Sequence, residues 1–217
     1  MFSNLARKGT LLAPRAEPAP LGSARLDQLL GGGVPRGQVV EVSGQASSGK
    51  ATLAFAVCQR ALERGQAAAW IDPGRAFWPL VAVERGIPVE RLLVVRVAGA
   101  TAALRAAQIL LSSAGAVAVV VVDLPPGAQM RERELVALQR LAERSSTALL
   151  FLTARARTAP SLGAQVALRL HVDRKSGGGV AAPNLSISVL RHKQGMSQRE
   201  AEERAHGPDR LRLHCSL

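Results

Sequence analysis

Residues 44–52 read GQASSGKAT, with glycines at 44 and 49 and a lysine at 50. The apolar run Val39 to Val42 precedes this stretch, and a segment with helical periodicity, Ala51 to Arg64, follows it. A glycine-rich turn between a strand and a helix lets backbone N–H groups surround an anion, and the helix N-terminus favours negative charge. The pattern of glycine, four residues, glycine and lysine therefore predicts a phosphate-binding loop within an α/β fold.

The loop departs from the usual pattern directly after its lysine. That pattern ends in Ser or Thr, whose hydroxyl holds the Mg²⁺ that bridges the β- and γ-phosphates, but residue 51 is alanine. Thr52 is a poor substitute, because a shift of one residue on a helix rotates the side chain by about 100°. With ATP and Mg²⁺ as candidate ligands, the predicted nucleotide-binding residues of this degenerate loop are Gly44, Ser47, Ser48, Gly49, Lys50, Ala51 and Thr52.

An acidic residue follows a second apolar run. Asp123 comes directly after Val117 to Val122. An aspartate at the end of a buried strand, downstream of a phosphate loop, is typical of the residue that orients the metal and its water. An ordinary strand-end cap is the alternative, and we predict the metal-side role for Asp123.

Apolar runs alternate with helical segments along most of the chain. Strands are predicted at 39–42, 67–71, 92–97, 116–122 and 148–152, with helices at 51–64, 80–85, 101–113 and 131–144. Such continuous apolar strands separated by helices indicate a mostly parallel, twisted sheet with helices on both faces. Two further runs, 166–172 and 185–190, have no helix between them, which predicts a C-terminal antiparallel hairpin.

The 217 residues fit one α/β domain with terminal extensions. We predict a flexible N-terminal arm at 1–20, a core at 21–195, and a C-terminal helix or tail at 196–217. The charged stretch Ser197 to Arg204 is expected to form a solvated helix. Trp70 and Trp78 are expected to pack between sheet and helices, and His171 has no ligand spacing that would give it a catalytic role.

The formal net charge of +12 favours a polyanionic partner such as DNA, bound through a basic surface. An excess of arginine can also reflect base composition. Cys58 and Cys215 lie far apart, as suits unpaired thiols in a reducing compartment. Because the apolar run from Ala116 to Val122 is too short to span a bilayer, we expect no membrane association and a cytoplasmic location.

The stretch LGSARLDQLLGGGVPRGQVVEVSGQASSGKAT, from Leu21 to Thr52, resembles the opening of the bacterial RecA recombinase core almost phrase by phrase. The similarity extends in element order to about residue 195, and it implies a RecA-like P-loop NTPase core. Among RecA-like proteins, the chain resembles the ImuA family, short proteins of bacterial mutagenesis cassettes. That resemblance implies a role in DNA repair: damage-induced translesion synthesis and mutagenesis under the SOS response.

Two departures from RecA concern ATP hydrolysis. The segment Asp72-Pro73-Gly74 resembles the place where RecA carries an aspartate, a small residue and its catalytic glutamate, so glycine stands where the water-activating carboxylate is expected. Ala51 removes the metal-binding hydroxyl as well. The resemblance therefore implies weak or absent hydrolysis, and no residue is assigned a catalytic role.

Other departures concern contacts with DNA and with neighbouring subunits. The segments 124–130 and 154–165 match the two DNA-binding loops of RecA but look much shorter. Arg155 and Arg157 remain as candidate DNA-phosphate contacts. Arg191, His192 and Lys193 follow the last strand where RecA presents lysines to the nucleotide of a neighbouring subunit; a basic surface patch is the alternative.

The ImuA resemblance implies an adaptor that acts through its partners. These would be an ImuB-like homologue of Y-family polymerases, an error-prone DNA polymerase III α-type subunit, RecA itself, and copies of the same chain in a homo-oligomer. A slow or partner-activated DNA-dependent ATPase is the first alternative. A DNA-binding regulator of RecA filaments is the second.

Overall fold

The computed structural model describes residues 16–113, 115–175 and 184–193, and the backbone of 199–204. Its strands are β1 (Val39–Ser43), β2 (Ala68–Asp72), β3 (Leu92–Arg96), β4 (Val119–Asp123), β5 (Ala148–Thr153), β6 (Val166–Lys175), β7 (Asn184–His192) and β8 (Arg199–Arg204). Its helices are α1 (Ala24–Leu29), α2 (Lys50–Glu63), α3 (Pro79–Glu84), α4 (Gly99–Ser112) and α5 (Glu132–Ser145), with a 3-10 turn at Val89–Arg91. Most of the predicted arm and the tail after Arg204 lie outside the described residues.

The strands form one sheet in the order β3-β2-β4-β5-β1-β6-β7-β8. The strands from β3 to β6 in this order are parallel, whereas β7 is antiparallel to β6 and β8 is antiparallel to β7. The predictions of a mostly parallel sheet and of a C-terminal antiparallel hairpin are therefore confirmed. The strands β1, β2 and β5 are buried over their full length, as their mostly apolar sequences favour.

Helices cover both faces of the sheet because successive side chains of each strand point to opposite sides. In β4, Val119 and Val121 belong to the core beneath α1, α2 and α3. Val120 and Val122 belong to the core beneath α4 and α5. A doubly covered sheet of this kind exposes its chemistry at the carboxyl ends of the parallel strands.

Three aromatic rings fill the first of these cores next to α2. Trp70 stacks on Phe55 with ring centroids 4.5 Å apart, and Phe77 is tilted against both rings. Trp78 does not pack as predicted: 67% of its surface is exposed. It is the N-cap of α3, and the preceding residue, Phe77, takes the core position instead.

The C-terminal helix predicted over Ser197 to Arg204 is wrong for Arg199–Arg204, which forms β8. This strand pairs with β7 from Asn184 to Val189. Glu, Ala and Arg favour helices in isolation, but the N–H and C=O groups along the edge of β7 form a ladder that outweighs this weak preference.

The ordered core begins slightly before Leu21. Ala19 is buried and forms a bridge with Val34. The carboxylate of Asp27 accepts hydrogen bonds from the amides of Leu21 (2.7 Å) and Gly22 (3.1 Å), which fastens this segment to α1. In the part of the chain that the structure describes, every helix is too short or too polar to cross a membrane.

Candidate functional site

The predicted phosphate loop lies between the end of β1 and the start of α2. Lys50 is the first residue of α2, and Gly49 is its N-cap with φ of 99°. Ser47 also has a positive φ, 57°. These left-handed conformations reverse the chain and leave the N–H groups of the first helical turn beside the loop, where they can donate hydrogen bonds to an anion.

Neighbouring groups leave no space for a side chain at either loop glycine. A Cβ atom at residue 44 would lie 2.4 Å from Ser48 Oγ and 2.5 Å from the Val172 carbonyl oxygen. A Cβ atom at residue 49 would lie 2.5 Å from Leu185 Cδ2. Close approach of β6 and β7 therefore requires glycine at both positions, in addition to the backbone conformation at residue 49.

The structure brings Lys50 and Asp123 together. Lys50 Nζ donates to the carbonyl oxygen of Gln45 at 3.1 Å. Burial raises the pKa of Asp123 to about 6, while the charge of Lys50 lowers it and Asp72 raises it further. Asp123 thus lies within electrostatic reach of the loop lysine, as a metal-side aspartate must; metal binding there stays a prediction.

The residues of the loop fit a phosphate group better than they fit Mg²⁺. Donors are available from the first turn of α2, from Lys50, and from Ser48, whose buried Oγ has no hydrogen-bond partner among the described residues. Ala51 offers only a methyl group, which packs against the core and cannot bind a metal ion. Asp123 supplies a carboxylate, and a Mg²⁺ held there would neutralise charge on the phosphates of a nucleotide.

Position 74 contributes nothing to water activation. Gly74 is exposed, and a Cβ atom there would meet no heavy atom within 4 Å. The nearby carboxylate of Asp72 is fully buried and accepts hydrogen bonds from the amides of Ala76 (2.8 Å) and Phe77 (3.1 Å). Asp72 thus stabilises the turn after β2. Residue 74, where a general base was expected from the RecA resemblance, carries no carboxylate.

A further buried acidic residue, absent from the predicted site, lies in β1, the strand that leads into the phosphate loop. Glu41 is fully buried in β1. Its Oε1 accepts a hydrogen bond from Thr153 Oγ1 at 3.0 Å, and its Oε2 accepts one from the Leu162 amide at 2.9 Å. A single charged residue inside an otherwise apolar strand was the signal, because a buried carboxylate needs fixed partners.

Two arginines complete the surroundings of Glu41. Arg169 Nε lies 3.6 Å from Glu41 Oε2, and Arg155 Nε lies 3.8 Å from Oε1. The buried guanidinium of Arg169 also donates to the carbonyl oxygens of Ala156 and Ala159. Glu41 and Arg169 therefore fasten the segment 154–165 to the sheet.

The surroundings of Glu41 bear on the two arginines that were predicted to contact DNA, Arg155 and Arg157. Arg155 is directed toward Glu41 and donates to the Pro160 carbonyl oxygen at 3.3 Å, so its charge is partly balanced within the protein. Arg157 is exposed on the same segment. Contact of Arg155 and Arg157 with DNA stays a prediction.

The three residues predicted to contact a neighbouring subunit have different surroundings. Arg191 donates to carbonyl oxygens of Gly163 (3.4 Å) and Ala164 (3.2 Å), and so holds the segment 154–165 from its other end. His192 is half-buried, and burial lowers its pKa. The Lys193 side chain is exposed. Arg191 acts within the chain, which leaves Lys193 as the exposed cation of this group.

His171 is a hydrogen-bonded core residue. Its Nδ1 lies 2.9 Å from Ser43 Oγ, and its Nε2 lies 3.4 Å from Asp173 Oδ1. Burial lowers its pKa, and Asp173 opposes this shift. Ser43 ends β1 and is buried, so the histidine supports the strand that leads into the phosphate loop.

A cavity of about 330 Å³ separates the two short loops that follow β4 and β5. Small residues line most of it, including Gly127, Ala128 and Ala154, and Gln129 and Arg155 supply polar groups. It lies at the carboxyl ends of the strands, the same edge of the sheet as the phosphate loop.

The fold and the loop define a RecA-like α/β domain with a phosphate-binding loop. Residues 5–143 match the family described as the RecA N-terminal domain. This match covers more than half of the chain, so the chain belongs to that family.

Curated relatives agree with this assignment. The protein RecA of Thermus thermophilus is 42% identical over 129 residues, which are 57% of this chain and 38% of that protein. The protein RecA of Heliobacterium modesticaldum is 44% identical over 108 residues, 49% of this chain and 31% of that protein. The chain thus spans about a third of the length of these relatives.

The crystal structure of the RadB recombinase has the same fold. It superposes with a TM-score of 0.70, covering 90% of this chain and 97% of that one at 22% sequence identity. This likeness supports the RecA-like α/β fold and extends it beyond the residues of the family match.

Proposed function

We propose that this protein is a RecA-like accessory factor of the ImuA type, which works in damage-induced translesion synthesis as an adaptor. The observation that carries the proposal is the loop at 44–52, which retains its anion-binding parts while two separate hydrolytic parts are missing. Ala51 has no metal-binding hydroxyl, and Gly74 has no carboxylate. A protein that keeps the recombinase core but hydrolyses ATP poorly acts by binding.

The anchored segment 154–165 supports the same proposal. Mobile loops that reorder on nucleotide and DNA binding are drawn from the least stable parts of a fold. Here Glu41, Arg169 and Arg191 hold the segment through hydrogen bonds from both sides. A fixed segment suits a constant binding platform better than a nucleotide-driven switch.

An exposed apolar group around α3 offers a surface for a protein partner. Trp78, Leu80 and Val83 are 67%, 56% and 55% exposed. Exposed apolar residues that cluster on one element mark interaction sites more often than scattered ones do. We propose that this group binds one of the polymerase partners, either the ImuB-like homologue of Y-family polymerases or the error-prone DNA polymerase III α-type subunit.

The hydrolytic part of the proposal is tested by ATPase assays with and without single-stranded DNA. We expect no DNA-stimulated turnover, and a robust DNA-stimulated rate would overturn the adaptor assignment. The paired substitution Ala51→Thr with Gly74→Glu restores both missing groups, and the open space at residue 74 accepts the new side chain. A rate gain of about 100-fold or more in this variant identifies the missing groups as the cause.

The partner part is tested by co-purification with each polymerase partner. Trp78→Ala with Leu80→Ala should abolish capture. Ile109→Ala is the matched control, because Ile109 is 69% exposed but lies on α4, over the other face of the sheet. Equal capture by the two variants would exclude the α3 surface as the docking site.

A slow or partner-activated ATPase is the second candidate, because Lys50 still lies within electrostatic reach of Asp123. Nucleotide titration with and without Mg²⁺ separates the two functions. If Lys50→Ala leaves damage-induced mutagenesis unchanged in cells, nucleotide is dispensable and the adaptor function stands. If it abolishes mutagenesis without changing capture of the partners, the ATPase function is favoured.

A further inference from the structure

A second polar cavity lies at the end of the sheet opposite the phosphate loop. Its volume is about 240 Å³, and Arg36, Arg64 and Gln66 line it together with Pro18 and Glu17. Arg36 precedes β1 and Gln66 precedes β2, so both mark the amino ends of strands. The length of β1, about 16 Å at about 3.3 Å per residue, separates this cavity from the phosphate loop.

Arg36 is a half-buried cation whose surroundings are unfavourable to its charge. Its Nε donates to the Ser146 carbonyl oxygen at 2.8 Å, which fixes the guanidinium in place. Burial lowers the pKa of Arg36, and the charge of Arg64 lowers it further. A desolvated cation beside a second cation is stabilised by an anion placed between them.

Carboxylates only partly balance these two arginines in the described ranges, because Asp27 lies within electrostatic reach of Arg64. Among the described residues, neither guanidinium forms an ion pair with a carboxylate. Glu17 is exposed at the rim of the cavity and is the acidic residue that lines it. The residues that line the cavity therefore provide two cations against one exposed carboxylate, an excess of positive charge.

The ends of two helices explain part of this arrangement. Arg64 is the C-cap of α2 and Ser146 is the C-cap of α5, and helix C-termini favour nearby cations. That accounts for the position of Arg36 Nε. It leaves the terminal nitrogens of Arg36 and the guanidinium of Arg64 without hydrogen-bond partners among the described residues.

A third arginine continues the positive surface. Arg91 donates to the carbonyl oxygen of Gly65 at 2.7 Å, directly between Arg64 and Gln66 in the chain. Arginine forks match the paired oxygens of a phosphate group in distance and direction. A row of arginines beside a small polar cavity suits a phosphodiester backbone, whose phosphates recur at regular spacing.

We propose that Arg36 and Arg64 form a binding site for a phosphate of the DNA backbone, at the amino ends of the parallel strands and opposite the phosphate loop. This deepens the DNA contact of the proposed function and rests on that proposal for its biological setting. It assigns the contact to a surface away from Arg155 and Arg157. The adaptor would thereby bind DNA at the amino ends of the parallel strands, and the phosphate loop at their carboxyl ends would stay available for other ligands.

The test measures binding of a labelled DNA duplex by fluorescence anisotropy over a series of salt concentrations. The double substitution Arg36→Gln with Arg64→Gln should reduce the slope of log affinity against log salt by about 0.9, because the two arginines share one phosphate contact. The matched control is Arg105→Gln with Arg140→Gln, which removes the same charge from exposed positions on α4 and α5. We expect the control to leave the slope unchanged.

A substitution at Glu17 and a competition experiment test the same site independently. Glu17→Gln removes the negative charge at the rim and should tighten binding several-fold. Equal slopes for the two double variants would overturn the proposal, as would stronger displacement of the chain from labelled DNA by polyglutamate than by unlabelled DNA of the same total charge. The latter result would identify an acidic protein segment as the ligand.

Thermal unfolding of each variant, followed by circular dichroism, checks that the fold is intact. The assay uses the purified full chain without polymerase partners or nucleotide. Failure of DNA binding is therefore distinguishable from failure of the adaptor function, which the capture experiment measures separately.

Discussion

Glu41 gives the most demanding test of how the segment 154–165 is held. Its buried carboxylate accepts hydrogen bonds from Thr153 and Leu162, and its Oε2 lies 3.6 Å from Arg169 Nε. Glu41→Gln keeps the shape but removes the negative charge, which leaves the buried guanidinium of Arg169 uncompensated. Breaking a buried pair by removing one partner typically costs about 3–5 kcal/mol.

The exposed ion pair between Arg60 and Glu63 is the internal control. Its atoms are closer, 2.7 Å apart, but its side chains are 34% and 39% exposed. Glu63→Gln should cost about 0–1 kcal/mol, because solvent already screens an exposed pair. Removing one partner of the longer pair is thus expected to cost more than removing one partner of the shorter pair, because the remaining charge is buried.

Urea unfolding with linear extrapolation measures both changes. In a separate thermal unfolding experiment, we expect the melting temperature of the Glu41 variant to lie about 6–20 °C below that of the native protein. This shift follows from about 2–4 °C per kcal/mol for a chain of this length. The double variant Glu41→Gln with Arg169→Met should lose less than the sum of the two single variants. A Glu41→Gln cost within about 0.5 kcal/mol of that of Glu63→Gln would refute the anchoring role.

Three further predictions follow from the same structure. Gly49→Ala should lower the free energy of unfolding by about 2–4 kcal/mol in chemical unfolding. Its Cβ would lie 2.5 Å from Leu185 Cδ2, and the backbone there has a left-handed φ. Gly74→Ala is the control and should change little, because the space around residue 74 is open. The pKa of Asp123 is raised from 3.8 to about 6, so the folded protein loses stability as pH rises through that window. Asp123→Asn should therefore stabilise the protein by at most about 3 kcal/mol at pH 8 and not at pH 3. Equal gains in the free energy of unfolding at both pH values would contradict this. Arg191→Ala should cost about 0.5–1.5 kcal/mol and speed hydrogen exchange at 161–164; unchanged exchange there would contradict it.

Local signals made much of the fold predictable. The run Val39 to Val42, the loop at 44–52 and the helix after it lie within one short segment, and each strand-helix unit repeats that arrangement. Periodicity therefore located the strands and helices of the core to within a few residues of their observed bounds. The same locality explains the prediction of the phosphate loop, whose glycines, lysine and helix start are neighbours in sequence.

Errors arose where distant contacts outweigh local preference. The stretch at Arg199–Arg204 has the composition of a helix, yet the edge of β7 makes it a strand. Trp78 has the composition of a core residue, yet Phe77 occupies that place next to Phe55 and Trp70. Neither outcome follows from residues close in sequence, because the competing partners come from other elements.

The class of protein and the departures at Ala51 and Gly74 can be read from residue identities within short motifs. The roles of the charged residues, in contrast, depend on contacts between distant parts of the chain. Glu41 and Leu162 are 121 positions apart in the chain, and the hydrogen bond between them exists because β1, β5 and β6 are neighbours in the sheet. A buried charge is defined by its partners, and folding alone brings those partners together.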